Sequence, residues 1–444
     1  MQIEYYQLGA HDMSHGGDIY RNNIEIDLSV NVNPMGCPTH VYEAMSRALS
    51  DVEKYPDIRH EKLIGRLSDV TGVQAAGILV GNGASELIMA VMRFFKMRRV
   101  LVPVPSFSGY RYAADAAGCE MVEYLLSPED DFDMSGFPEF IRKNAASGDV
   151  ILFANPNNPN GRIIEKELLD EIIEVAGEKD AYVVIDECFL MLTGRYEELS
   201  GVRYIRRNID IITDKQESTG SVTEHDNDHV EYCKLMIIDA FTKTFAVPGI
   251  RLGMLYAGDT EVSDGIRRLL PEWNISCIAE AAGLAALSVL EEYMNNTDSV
   301  IEGKNKSDDE KYICAYDSRV CICDDEVEIN YFNNSISFIK KEKNRLVNEI
   351  NDVSGKRADQ KTDTKTDHNA NNPVIRIFSS DANYLLLKTD IDLYKGLLER
   401  GILIRDCSDY RGLGRGYYRI AVSTEENNDR FCEELRELIT ENDI

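Results

Sequence analysis

The chain has 444 residues, 43% of them hydrophobic, and a formal net charge of −29. That length and apolar content support one large domain with a smaller one, while the negative charge disfavours nucleic acid as a partner. No run is long and apolar enough to span a bilayer and the first residues lack a signal-peptide pattern, so the expectation is a cytoplasmic protein with no membrane partner.

The chain opens with His15-Gly16-Gly17-Asp18-Ile19, followed by Ile26 to Val30 as a short strand and the turn Asn31-Val32-Asn33-Pro34-Met35-Gly36. Paired glycines allow backbone to approach a ligand closely, and they also occur in ordinary turns. Pro56, within Tyr55-Pro56-Asp57, marks a helix boundary. Ile78-Leu79-Val80 reads as a strand and Gly81 to Glu86 as a small-residue loop. Ile88, Val91, Met92 and Phe95 then recur at helical spacing. Strand, glycine loop and helix start together make an anion cradle, in which backbone N–H groups and the helix dipole face one point. A plain βα turn has the same pattern, and the spacing is not a dinucleotide fingerprint.

Val100-Leu101-Val102 is the next strand and leads into Pro103 to Tyr110, where Phe107 can stack on a flat ring or pack in the core. Val150 to Ala154 is closed by Asn155-Pro156-Asn157-Asn158-Pro159-Asn160-Gly161, a turn of unusual composition. Ala181 to Ile185 ends in Asp186, a carboxylate that needs a cation if it is buried, whether a protonated ring nitrogen or a neighbouring side chain. Leu235 to Ile238 is another buried strand, with Lys243 just beyond it and Arg251 eight residues later. A lysine desolvated at a strand end has a lowered pKa and becomes a nucleophile toward carbonyls. The alternative is a solvated lysine.

The alternation of strands and helices predicts an α/β fold, a mainly parallel sheet with helices on both faces and candidate groups along its carboxyl edge. Polar stretches interrupt the pattern from Asn208 to Cys233, Glu302 to Val327 and Lys356 to Asn372, and read as surface insertions. His225 and His229, and Cys314, Cys321 and Cys323, complete no recognisable ligand set, so no metal is expected. The ten cysteines are scattered, and Cys119 and Cys188 read as reduced core thiols. Ser335 to Val353 reads as a helix, Asn383 to Lys388 as a strand, and Leu393 to Arg400 as a helix ended by Gly401. Arg405 and Arg419 lie inside apolar strand-like runs and need acceptors, either a ligand anion or an internal carboxylate.

These pieces, in this order, resemble the fold-type I pyridoxal-phosphate enzymes. Within them the chain is most similar to the threonine-phosphate decarboxylase group of the histidinol-phosphate aminotransferase branch. The likeness rests on His15 to Ile19, Asn31 to Gly36, Ile404-Arg405-Asp406-Cys407-Ser408 and Arg411-Gly412-Leu413, together with the strand-end motifs. It implies residues 1–54 as an N-terminal arm of the small domain and 55–275 as the large cofactor-binding domain, with an insertion at about 208–233. Residues 276–444 would form the smaller α+β domain, with insertions at about 302–327 and 356–372.

The resemblance also implies the site. Lys243 would hold pyridoxal phosphate covalently, Asp186 would pair with its ring nitrogen, Asn158 would bond its ring hydroxyl and Phe107 would stack on it. Ala84, Ser85 and Arg251 would hold its phosphate, and Tyr55 would reach the cofactor of a neighbouring subunit in a homodimer. Arg419 would bind the substrate carboxylate, and Arg405, with His15 and Asn33, the rest of a small phosphorylated amino acid. Phe189, Ala240 and Asp18 depart from the family pattern, which commonly has tyrosine, Ser or Thr, and asparagine there. The expected activity is decarboxylation of O-phospho-L-threonine to aminopropanol phosphate for cobalamin biosynthesis. The alternatives are an aminotransferase acting on a substrate such as histidinol phosphate, and a non-catalytic cofactor-binding protein.

Overall fold

The computed structural model describes residues 16–206, 234–301, 330–355 and 374–441. His15, His225, His229, Cys314, Cys321, Cys323 and the three polar stretches lie outside the described residues.

The strands, in chain order, are β1 (Ile26–Asp27), β2 (Ile78–Asn82), β3 (Arg99–Val104), β4 (Glu120–Leu125), β5 (Val150–Ala154), β6 (Tyr182–Asp186) and β7 (Leu235–Ala240). They continue with β8 (Leu252–Ala257), β9 (Arg376–Ile377), β10 (Tyr384–Lys388), β11 (Ile402–Leu403), β12 (Arg405–Asp406) and β13 (Tyr417–Ala421). Seven of them form the large sheet in the order β2-β8-β7-β6-β5-β3-β4. The strands of this sheet read as near-continuous apolar runs because both of its faces are covered. Side chains alternate along each strand, so Leu101, Ile151, Val183 and Ile237 join one apolar cluster. Val100, Leu152, Val184 and Met236 join the other.

The expected mainly parallel sheet with helices is present, with one addition. Strand β8 runs antiparallel to both β2 and β7, with Asn82 opposite Leu252 and Ala240 opposite Gly253. Its amino end therefore lies beside the carboxyl ends of the parallel strands, and Arg251, the residue before it, arrives at the same edge. That edge gathers the starts of the helices Ala84–Phe94 and Ser108–Ala117 and of the four-residue helix Phe241–Thr244.

The smaller sheet, β12-β13-β10-β9, is antiparallel throughout. Its apolar side packs with Leu346 and Ile350 of the helix Tyr331–Gly355 and with Phe431 and Leu435 of the helix Glu425–Glu441. The strand expected over Ile26 to Val30 is shorter, because Asp27 Oδ1 accepts from both Ser29 N (2.8 Å) and Ser29 Oγ (2.6 Å). This side-chain turn replaces the ladder after two residues, and β1 pairs in parallel with β11. No helix of the described residues is long and apolar enough to cross a membrane.

Candidate functional site

The first component lies where β2 meets its helix. Gly81 and Asn82, expected in a loop, extend the strand, and Gly83 turns the chain at φ +77° before Ala84 starts the helix. A Cβ on Gly83 would overlap the Arg251 guanidinium, and one on Gly253 would lie 2.5 Å from Ala84 N. Two glycines thus let a guanidinium and a helix start converge. Arg251 and Ser85 are exposed there, and the first-turn N–H groups of a helix have no intrahelical acceptors. This is an anion cradle open to ligand.

Asp186 closes β6 and is buried. Its Oδ2 accepts from Tyr110 Oη at 2.7 Å and its Oδ1 from Cys188 N at 3.1 Å. Burial and the neighbouring Asp186 charge push the Tyr110 hydroxyl well above its ordinary pKa, so it stays a donor. Half-buried Phe107 meets the Tyr110 ring edge-on, with centroids 5.5 Å apart. From the sequence Tyr110, like Phe107, reads as a ring-stacking or a packing aromatic, and its bond to Asp186 is not anticipated. Its position one helical turn beyond Phe107 was the signal that it shares that residue's direction.

Lys243 sits in the four-residue helix after β7. Its carbonyl accepts from Asn33 N at 2.9 Å. The Asn33 side-chain amide nitrogen lies 3.0 Å from Thr244 O, 2.9 Å from Tyr331 Oη and 2.8 Å from Ser335 Oγ, while its oxygen accepts from Met35 N. Asn33 thus underpins the lysine's backbone. Burial, reinforced by the Arg419 charge, lowers the Lys243 amine from 10.5 to about 8. Only the deprotonated amine attacks carbonyls. In protein stripped of cofactor, reductive alkylation of Lys243 by a small aldehyde should therefore rise with pH through a midpoint of about 8. A midpoint at the ordinary lysine value would contradict this environment.

The arginines come from the small sheet. Arg405 and Arg419 stand directly opposite each other across β12 and β13, and both are buried. Arg419 donates to Asn158 Oδ1 (2.5 Å) and Ser29 O (2.7 Å), whereas its buried Nε has no hydrogen-bond partner. Asn158 Oδ1 is also 3.4 Å from Tyr410 Oη. Tyr384 lies beneath the Arg419 guanidinium, donates to Asn157 O at 2.9 Å and meets Phe189 edge-on. Arg405 Nη2 contacts both carboxylate oxygens of Asp409. The tyrosines were not singled out from the sequence, because their partners are fixed by register and domain packing; Asp409 was not singled out either, although it lies only four residues beyond Arg405.

Tyr55 is 81% exposed and lies against Trp273, with ring centroids 4.9 Å apart. Ala240 is buried at the end of β7 and supplies no hydroxyl. Glu187 and Asp239, buried acids at adjacent strand ends, were also not anticipated. Burial raises them to about 8 and about 7. Glu187 accepts from Ser200 Oγ at 2.6 Å and Gly201 N at 2.7 Å. Cys119 and Cys188 are free and buried. Among the described residues no cluster of His, Cys, Asp and Glu is arranged to hold a metal ion.

A basic helix-start cradle, a buried carboxylate and a lysine of lowered basicity thus share one sheet edge. That set fits a ligand carrying a phosphate, a protonatable ring nitrogen and an aldehyde. The model of the family "Aminotransferase class I and II" matches residues 23–307. The threonine-phosphate decarboxylase of Salmonella typhimurium is 26% identical over 419 residues, covering 94% of this chain and 91% of that protein. The histidinol-phosphate aminotransferase of Thermoanaerobacter pseudethanolicus is 27% identical, with coverage of 93% and 92%. The crystal structure of the histidinol-phosphate aminotransferase from Clostridium acetobutylicum superposes with a TM-score of 0.69 at 27% identity, over 94% of this chain and all of that one. The chain belongs to the class I and II aminotransferase family and is a pyridoxal-phosphate-dependent enzyme.

Proposed function

We infer that the chain is a decarboxylase of a small phosphorylated amino acid, with O-phospho-L-threonine as substrate and aminopropanol phosphate as product. The observation that carries this reading is the arginine pair. Two guanidiniums directly opposite on one sheet face repel each other, and buried cations need anions. Asp409 holds Arg405 in the free protein, while the orphaned Arg419 Nε is suited to a carboxylate oxygen; a substrate with a carboxylate and a phosphate brings an anion to each arginine. The similarity to a threonine-phosphate decarboxylase agrees with it.

In this reading Ala84, Ser85 and Arg251 hold the cofactor phosphate, Phe107 stacks on the ring, Asn158 bonds the ring hydroxyl and Lys243 is the attachment point. Asp186, oriented by Tyr110, balances the charge of the ring nitrogen. The bound cofactor supplies an electron-accepting ring. Arg419 would grip the substrate carboxylate and so set which bond at Cα is aligned for cleavage. Cleavage of the Cα–carboxyl bond would release carbon dioxide, and Lys243 Nζ would deliver a proton to Cα. Arg405 takes the phosphate. Asn33 acts through the lysine's backbone rather than on substrate. Exposed Tyr55 serves the partner's site in a homodimer.

Transamination is the second reading, favoured by the equally close histidinol-phosphate aminotransferases. Phe189 leans the other way. It offers no hydroxyl where aminotransferases of this type commonly place one. Holoenzyme incubated with O-phospho-L-threonine, O-phospho-L-serine and histidinol phosphate, with and without 2-oxoglutarate, separates the two by product mass. The expected product is the amine formed by carbon dioxide loss from phosphothreonine without added keto acid. Amine transfer to 2-oxoglutarate with no carbon dioxide release would overturn the decarboxylase reading.

A further inference from the structure

Arg405 already has an anionic partner. Its Nη2 lies 2.9 Å and 2.7 Å from the two oxygens of Asp409, one helical-turn distance along the chain, and its guanidinium rests 5.2 Å over the Tyr410 ring. The two partners differ in exposure. The Arg405 side chain is 4% exposed and Asp409 is 38% exposed. The arginine is therefore held in the interior, while the carboxylate reaches solvent. Arg419, directly opposite, donates to the neutral oxygens of Asn158 and Ser29. Of these two guanidiniums, one is thus neutralised by an internal carboxylate and the other is not.

A phosphate carries about −1.5 to −2 at neutral pH, so it cannot bind Arg405 with Asp409 in place without like-charge repulsion. The exchange is physically balanced in one way. Asp409 swings outward to solvent as the incoming anion takes over the guanidinium, and the buried arginine is never left unpaired, which is the costly state. A ligand lacking an anionic distal group has nothing to offer in exchange.

We propose that Asp409 is a specificity-determining residue, a carboxylate that occupies Arg405 until the distal anion of the substrate displaces it. The inference rests on the reading of Arg405 as the distal-anion site and adds the device that sets its threshold. Ligands that displace Asp409 bind more weakly than Arg405 alone would allow. Ligands that do not use Arg405 bind independently of residue 409.

The test uses holoenzyme, whose cofactor-phosphate cradle is filled, and inorganic phosphate as the probe, with the dissociation constant measured by calorimetry. D409N, which keeps the shape and removes the charge, should tighten phosphate binding by about tenfold, and D409A should do the same. Both variants should leave the affinity for L-threonine within about twofold, and R405M should abolish the gain. Unchanged or weakened phosphate binding in D409N and D409A, with R405M still abolishing binding, overturns the gate while leaving the anion site. Phosphate binding that survives R405M unaltered overturns both. Binding seen in D409N but not in the unmodified enzyme supports the gate and counts against a phosphorylated substrate.

Discussion

Lys243→Ala is expected to remove turnover, by on the order of 10⁴-fold or more, because in the proposed role loss of the proton-transfer group alone would cost about 10²–10⁴ and the covalent attachment would go with it. The fold should survive the change. A lysine whose amine falls from 10.5 to about 8 binds its proton less tightly in the folded chain than in the unfolded one. Stability of the cofactor-free protein therefore rises with pH between those two values and carries the full penalty below about 8. Alanine removes the penalty, so the variant without cofactor should melt no lower than the parent at neutral pH, and its stability should lack that rise. Turnover assays paired with melting curves across pH check both halves. A variant that loses activity by unfolding would contradict the assignment.

Asp186→Ala should lower turnover by about 10²–10³-fold, the usual cost of removing one preorganised electrostatic partner. It should also lower stability, because the Tyr110 hydroxyl and Cys188 N lose their acceptor inside the protein, and an unsatisfied buried group costs about 1–3 kcal/mol. Asp186→Asn separates the two effects. Its amide oxygen still accepts from Tyr110, so stability should largely return, while the missing charge keeps turnover low. Recovery of turnover with asparagine would show that Asp186 acts by shape rather than charge.

Much of this site was legible in the chain order. Asp186 and Lys243 follow short apolar runs, and Ala84 and Ser85 follow a strand and a glycine turn. In a sheet covered on both faces such runs have few other readings. Strand β8 was missed because Gly253 breaks its apolar run and its direction depends on neighbours far away in sequence. Tyr110 and Asp186 are 76 residues apart, and the Arg405–Arg419 opposition follows from antiparallel register. Neither is visible in spacing. The Arg405–Asp409 pair is local and could have been seen, had the need for an arginine acceptor been followed four residues onward. Glu187 and Asp239 carry no sequence mark that separates a buried acid from a solvated one.

The proposed activity requires a covalent bond between the cofactor aldehyde and the amine of one lysine. Borohydride reduction of the holoenzyme, followed by digestion and peptide mapping, reads that bond directly. The pyridoxyl group should be found on Lys243. A label on any other lysine, or no label at all, would contradict it.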